Sequence, residues 1–393
     1  MKKEVIITDA KRTPIGSFQG MLSSLKGFEL GALAIRGVIP NCPVDEVFMG
    51  CVLPAGQGQN PARQATIHSG LPDTVPATTI NKVCASGMRA IMMAADDVQL
   101  RDSVVIAGGM ESMTNAPYLL EKARTGYRMG HGQIIDHMIR DGLEDTYTKN
   151  PDGSSVHMGL FADATAERYS ISREAQEKFA AETWERVIGA QKNGSFGDEI
   201  IPVSVVDSKG NTTTLTVDEP SAKVKPEKFP ALRPAFSAGG TVTAGTASSI
   251  ADGAAALCLM SHERALSLGQ TPLARIVGYA SNSNEPKWFT TAPVGAIQKV
   301  CHRVGWALSD VDLFEINEAF AIVPLVAMQE LSIPRDKVNI HGGACSLGHP
   351  LGASGARVIV TLIHALRTKG LKRGVAAVCI GGGEATAIAI EVI

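Results

Sequence analysis

The sequence predicts a layered α/β protein made of two similar halves. Short β-branched runs alternate with helix-like stretches at both ends of the chain, the pattern of strands covered by helices. One device also occurs twice. CASGMRA at 84–90 opens a helix-like run and is followed by VVIAGG at 104–109; GASGARV at 352–358 opens another and is followed by AVCIGG at 377–382. The shared order of both echoes points to internal duplication. A length of 393 residues fits two or three domains, or one core doubled.

The first half reads as EVIITDAKRTP, a strand and loop; FELGALAIRGVI, a helix; DEVFMGCVLP, a buried strand; VPATTINKVCAS, a strand entering a turn; GMRAIMMAADDVQLR, a helix; and DSVVIAGGMES, a strand. Residues 119–248 are more polar, with turn clusters at KNPDGSS, DSKGNT and EPSAKVKPEKFP. They also hold an amphipathic helix that Ser172 caps and Gly194 ends. This stretch is expected to be a loop domain inserted into the first half, 1–118, which 249–270 completes. Loops on a rigid scaffold often carry binding residues. The α/β alternation returns over 271–393.

Composition narrows the function. Hydrophobic residues make up 45% and charged residues 19%, an ordinary globular balance, and the formal net charge is -2. No basic excess points to nucleic acid or an anionic membrane. Apolar runs are broken by charge, so no membrane span is expected. The start resembles no signal or transit peptide, and the end carries no peroxisomal tripeptide. A soluble cytoplasmic protein is the expectation. Seven scattered cysteines without a CxxC predict neither a metal site nor disulfides.

Two turns could do chemistry. Cys84 lies between a strand and a helix, where the helix dipole favours a thiolate and small neighbours admit a substrate; its alternative reading is a small core residue. His349, in HGGACSLGHPLGASGAR, lies on a glycine-rich turn before Pro350, a position suited to a general base; alternatively it is a loop histidine satisfied by water. If the halves are related by a two-fold axis, these turns meet, one supplying a nucleophile and the other a base. Cys379 is either core or poised beside the glycines at 381–383, whose N–H groups could receive an oxyanion. Asn317, in NEAFA, either holds a water or oxyanion or caps a helix.

Together, KRTPIGSFQG, GQGQNPARQA, Cys84, HMG, TVTAG, NEAFA, GGACSLGHPLGASG and CIGGG resemble the thiolase family over the whole chain. GQGQNPARQA and PLGASGAR look most like the acetoacetyl-CoA thiolases within it. The resemblance implies a duplicated five-layer α/β fold with an inserted loop domain. It implies reversible Claisen condensation of two acetyl-CoA to acetoacetyl-CoA and CoA, with no further cofactor. It also implies a homodimer or homotetramer. By the same resemblance Cys84 is the acylated nucleophile, His349 its base and Cys379 the acid/base at the α-carbon. Asn317 positions a water in one oxyanion hole, and the N–H groups of Cys84 and Gly381 form a second. His157, Phe236, Ala244 and Ser248 contact coenzyme A, and Phe289 lines the acyl pocket.

The chain departs from the common family pattern in three places. Leu160, Phe161, Ala162 and Asp163 follow HMG, Thr246 replaces an asparagine, and FTTAP at 289–293 stands where many members have Met-Gly-x-Gly-Pro. TKNPDGSS, before HMG, is a longer insertion that reads as an exposed loop. Competing readings are a thiolase for longer or branched 3-ketoacyl-CoA, a non-catalytic acyl-CoA or lipid carrier, and a cysteine hydrolase. A carrier needs none of Cys84, Asn317, His349 and Cys379, and a hydrolase leaves Cys379 unused.

Overall fold

The computed structural model describes residues 3–206 and 210–393; positions 207–209 of the predicted DSKGNT turn lie outside the described residues. The first half runs β1 (Val5–Arg12), α1 (Gly27–Arg36), β2 (Glu46–Gly50), β3 (Ala77–Ile80), α2 (Ser86–Arg101) and β4 (Val105–Ser112). The chain then leaves the sheet for an excursion containing α3 (Met158–Arg168) and α4 (Arg173–Lys192), and returns as β5 (Ala251–Ser261). The second half runs β6 (Ala274–Ser283), α5 (Ala292–Val304), β7 (Leu313–Ile316), α6 (Leu351–Lys369), β8 (Arg373–Ile380) and β9 (Glu384–Val392).

The strand order is β7-β8-β9-β6-β1-β5-β4-β2-β3. Each half pairs its short strand in parallel with the strand after its central helix: β2 with β4, and β7 with β8. β2 also pairs in parallel with the edge strand β3, and the other neighbours in each half are antiparallel. The halves join where β1 meets β6 in antiparallel register, Val5 opposite Ile276 and Ile7 opposite Ala274. The two halves therefore share one local topology, as the duplicated motifs predict.

β4 and β5 are buried along their whole length, so their continuous apolar runs are covered on both faces. α6 is buried without interruption from Leu351 to Leu366. A helix apolar all round belongs in a core, and here α2 and α6 lie side by side between the strands of both halves. α1 covers the outer face of the first half and α5 that of the second. The result is five layers: helix, sheet, helix pair, sheet, helix.

The central helices approach at glycines. A Cβ on Gly87 would stand 2.9 Å from both Ala356 N and Gly352 O, and one on Gly355 would stand 2.5 Å from Met88 N. Alanine, valine and isoleucine fill the space on either side. The excursion is anchored by Arg12, whose side chain is fully buried. Its Nε meets Glu199 at 2.5 Å, and Nη1 and Nη2 grip Asp218 at 2.6 and 3.0 Å. This two-pronged pairing suits a guanidinium and explains the KR of the opening strand. On α4 the Ser172 hydroxyl accepts the Ala175 N–H, and Gly194 follows the helix in the left-handed region at φ +76°, as expected.

Gly87→Ala is expected to destabilise the protein by about 1–3 kcal/mol through overpacking of the helix pair. Gly189→Ala, at an open position on α4, is expected to be neutral or stabilising by up to about 1 kcal/mol. Thermal unfolding of both variants checks the contrast.

Candidate active site

Cys84 stands just before α2, on a turn held under strain. Val83 takes φ +46°, a costly conformation for a β-branched residue. The turn compensates with hydrogen bonds. The Asn81 side chain accepts the Val83 N–H at 2.9 Å, and the Ser86 hydroxyl accepts the Lys82 N–H at 2.8 Å and donates to Val83 O at 2.6 Å. Lys82 also forms an ion pair with Glu384, tying this turn to the loop after Cys379.

His349 precedes α6 on the equivalent turn of the second half. It is buried, not bathed in water, and its N–H donates to Ser249 O at 2.9 Å. Its Nδ1 is 2.6 Å from Ser354 Oγ, and that hydroxyl in turn donates to Pro350 O at 2.9 Å. With its one proton committed, Ser354 accepts from Nδ1–H, and Nε2 keeps an unprotonated lone pair with Asn317 Nδ2 3.4 Å away. Burial first, and the Arg357 cation second, push the imidazole down to about 3. His349 is therefore neutral, with an unprotonated base nitrogen, across the physiological range.

Cys84, His349 and Gly381 line one cavity of about 280 Å³, together with His157, Phe236, Ser248 and Phe289. The N–H groups of Gly381 and of Cys84 itself are directed at the Cys84 sulfur. The expected preference for thiolate is not what the free protein holds. Burial outweighs these donors and pushes the thiol up to about 11. Cys379 is fully buried in β8, opposite Ala385, and is not part of the cavity wall. Burial, and secondly the proximity of Cys84, hold its thiol well above the usual range. Asn317 is also buried behind the wall, its Nδ2 at 3.4 and 3.5 Å from the two ring nitrogens of His349. It does not cap a helix: the next one begins at Ile322, and Ala321 is its cap.

His157 caps α3. Its Nδ1 accepts the Gly159 N–H at 3.1 Å, which places the ring proton on Nε2 as a donor. Burial holds it below the usual histidine range, so it is a neutral donor. Its ring stacks on Phe236 at 4.7 Å, and Phe236 lies so close to Gly159 that a Cβ there would stand 2.3 Å from the ring. HMG is thus one device: a cap, a wall residue and the gap an aromatic ring needs.

The departures from the family pattern have local roles. Asp163 accepts from Thr241 N at 2.8 Å, Val242 N at 2.9 Å and Ser237 Oγ at 2.9 Å, pinning the loop that carries Phe236. Thr246 closes the TVTAG turn by accepting the Thr243 N–H at 2.9 Å. Phe289 is packed between Phe161 at 6.5 Å and Phe320 at 6.4 Å, an aromatic wall that resists opening. TKNPDGSS forms the turn of a hairpin, Glu144–Lys149 with Ser155–His157, and so ends at the cavity.

Ala244 lies apart from these residues. It lines an adjoining cavity of about 570 Å³, which also holds Lys223, Lys225 and Lys228 and shares Ala247 and Ile250 with the first. The sequence reading had the three lysines only as part of a turn cluster, although their spacing was visible in KVKPEK. It also passed over Met158, Phe320 and Leu351, which line the inner cavity, and Ser354, which sets the His349 tautomer. Phe320 lay in plain view within NEAFA.

A thiolase N-terminal domain model matches residues 5–263, and a thiolase C-terminal domain model matches 270–392. The chain belongs to the thiolase family. It is 48% identical to acetyl-CoA acetyltransferase 2 of Arabidopsis thaliana over 399 residues, which is 100% of this chain and 98% of that one. The acetyl-CoA acetyltransferase of Bacillus anthracis superposes with a TM-score of 0.94 at 41% identity, over 100% of this chain and 99% of that one. A thiolase from Ascaris suum solved with coenzyme A superposes at 0.92 with 42% identity, over the full length of both chains. The predicted five-layer thiolase fold is borne out. Among the described residues no group of three or more His, Cys, Asp or Glu is placed to hold a metal ion, and no helix is long and apolar enough to cross a membrane.

Labelling of Cys84 by iodoacetamide is expected to accelerate about tenfold per pH unit between about pH 7 and 10, because the thiolate is scarce until pH nears the raised pKa. Peptide mass spectrometry at the Cys84 peptide measures this; a plateau below about pH 9 would contradict it.

Proposed function

We propose that this protein condenses two acetyl-CoA molecules to acetoacetyl-CoA and CoA, and runs the reverse thiolysis, through an acyl group carried on Cys84. One observation carries the reading: a nucleophile from one half and a neutral histidine from the other line the same apolar cavity, with two N–H groups directed at the nucleophile's sulfur.

Both thiols are protonated at rest, so Cys84 becomes a nucleophile only as its proton passes to His349 Nε2. Its sulfur adds to the thioester carbonyl, and the tetrahedral oxyanion is held by donors at the His349–Asn317 side. Collapse expels the CoA thiolate, which takes the proton of Cys379, and leaves acetyl-Cys84, a thiolate at Cys379 and the Cys84 proton on His349. The second acetyl-CoA loses an α-proton to Cys379, acting as the base in its thiolate form. The carbanion attacks the acetyl carbonyl, whose oxygen turns to the N–H groups of Cys84 and Gly381. Collapse releases acetoacetyl-CoA and the Cys84 thiolate, which recovers its proton from His349 and restores the neutral resting site. Thiolysis is the same sequence reversed, with Cys379 returning the proton to carbon.

Coenzyme A occupies the two adjoining cavities. His157, Phe236 and Ser248 line the inner one, where a pantetheine arm enters, and Ala244 lies in the outer one. Lys223, Lys225 and Lys228 there suit the phosphates of the nucleotide end. The excursion 119–248 therefore acts as the CoA-binding loop domain. Phe289 closes the acyl end with Phe161 and Phe320, which favours a four-carbon 3-ketoacyl group over longer chains. The protein is a homodimer or homotetramer in this reading, consistent with exposed Tyr118, Leu120, Met129 and Ile134 on the excursion.

Thiolysis of acetoacetyl-CoA is expected to exceed that of a six-carbon 3-ketoacyl-CoA, and Cys84→Ala is expected to lose activity by about a thousandfold or more. Phe289→Ala is expected to raise the six-carbon to four-carbon ratio of kcat/KM about tenfold. Equal turnover of both substrates by the wild type would move the function to longer-chain degradation.

A further inference from the structure

Arg357 lies in α6 and is almost wholly buried, yet no step above uses it. Its Nη2 donates to Asn317 Oδ1 at 3.2 Å. Its Nη1 stands 3.5 Å from Glu315 Oε2, and neither that nitrogen nor Nε has a hydrogen-bond partner. A buried guanidinium with two unused donors is expensive, and an ion pair this loose does not offset the expense well. Stability alone gives little reason for an arginine here.

Its contact with Asn317 gives another. A guanidinium has five donors and no acceptor, so the Asn317 atom it meets must be the amide oxygen. The amide nitrogen is then turned toward His349, where it lies 3.4 and 3.5 Å from the ring nitrogens. Rotation about the terminal bond of asparagine is soft, and a flipped amide would present an oxygen to the reaction side. An acceptor there would repel a developing oxyanion instead of stabilising it.

We propose that Arg357 is a positioning residue that holds the Asn317 amide with its NH2 group facing the reaction beside His349; this role rests on the acyl-transfer reading above. Charge acts in the same sense, because the Arg357 cation disfavours a proton on His349 and so keeps the base free. The charged groups acting on Arg357 itself are Glu315, Glu318, Glu199 and Arg12, of which Glu315 is nearest. Burial pushes Glu315 up to about 8, so it does not fully cancel the cation.

A double-mutant cycle on the full chain tests the role, read by thiolysis of acetoacetyl-CoA. Arg357→Met is expected to lower kcat about 10- to 100-fold with KM within about twofold. Asn317→Ala with Arg357→Met is expected to be within about twofold of Asn317→Ala alone, because Arg357 acts chiefly through that amide and burial, not the Arg357 charge, is the larger cause of the neutral His349. Arg357→Lys, which keeps the charge and a donor, replaces Arg357→Met if the latter does not fold. It is expected to cost less kcat and to show the same non-additivity. Multiplicative losses in the cycle, or an unchanged kcat, would overturn the role and leave the functional reading intact. A wild type without thiolysis would overturn that reading, and the role with it, before any Arg357 variant is made.

Discussion

The structure depends on two helices that touch without side chains between them. α2 and α6 carry Cys84 and His349 just ahead of their N-termini, and the groups can share a cavity only if the helices run side by side at backbone distance. Gly87 and Gly355 leave that space, and Gly352 and Gly109 let α6 close on β4: a Cβ on Gly109 would lie 1.9 Å from Gly352 O, and one on Gly352 would lie 2.7 Å from Met110 O. The repeated ASG of the sequence is the trace of this crossing. The same close approach admits the Glu111 carboxylate from β4, which accepts from Gly352 N at 2.8 Å, Val52 N at 2.9 Å and Leu53 N at 3.1 Å. α6 has no side-chain cap of its own, so a residue from the other half supplies the anion at its N-terminus. Burial nevertheless pushes Glu111 up to about 7, a sign of how dry this junction is.

That dryness governs the chemistry. Burial raises both thiols and lowers His349, so the resting site is a set of neutral groups. An imidazole kept unprotonated can accept a proton at any physiological pH, and a thiol kept protonated is protected from adventitious reaction until a substrate arrives. Donors fixed in place of water then act on the developing oxyanion at a low dielectric, where they are strongest. The outer cavity differs in carrying Lys223, Lys225 and Lys228, which in the proposed function meet the charged end of coenzyme A.

Much of this was legible in the sequence, for physical reasons that differ by residue. Alternating strands and helices follow from local periodicity, and the duplicated turns followed from two motifs in one order. Cys84 and His349 stood out because both occupy strand-to-helix turns among small residues. What the sequence could not supply was the partner of a buried charge. Arg12 finds Asp218, and Glu111 finds Gly352, across separations no local pattern records. The protonation state of Cys84 was misjudged because the helix dipole is a local feature whereas burial is decided by tertiary closure. Asn317 could have been a helix cap until the helix proved to start at Ile322. TKNPDGSS read as an idle loop, yet its hairpin ends at His157.

The central claim is that Cys84, and not Cys379, carries the acyl group. Brief mixing with acetyl-CoA, acid quench and peptide mass spectrometry test it most directly. The account predicts one acetyl adduct, on the peptide bearing Cys84, absent from Cys84→Ala and removed when free CoA is added before the quench. An adduct on Cys379 instead, or full turnover with no adduct on Cys84, would contradict it.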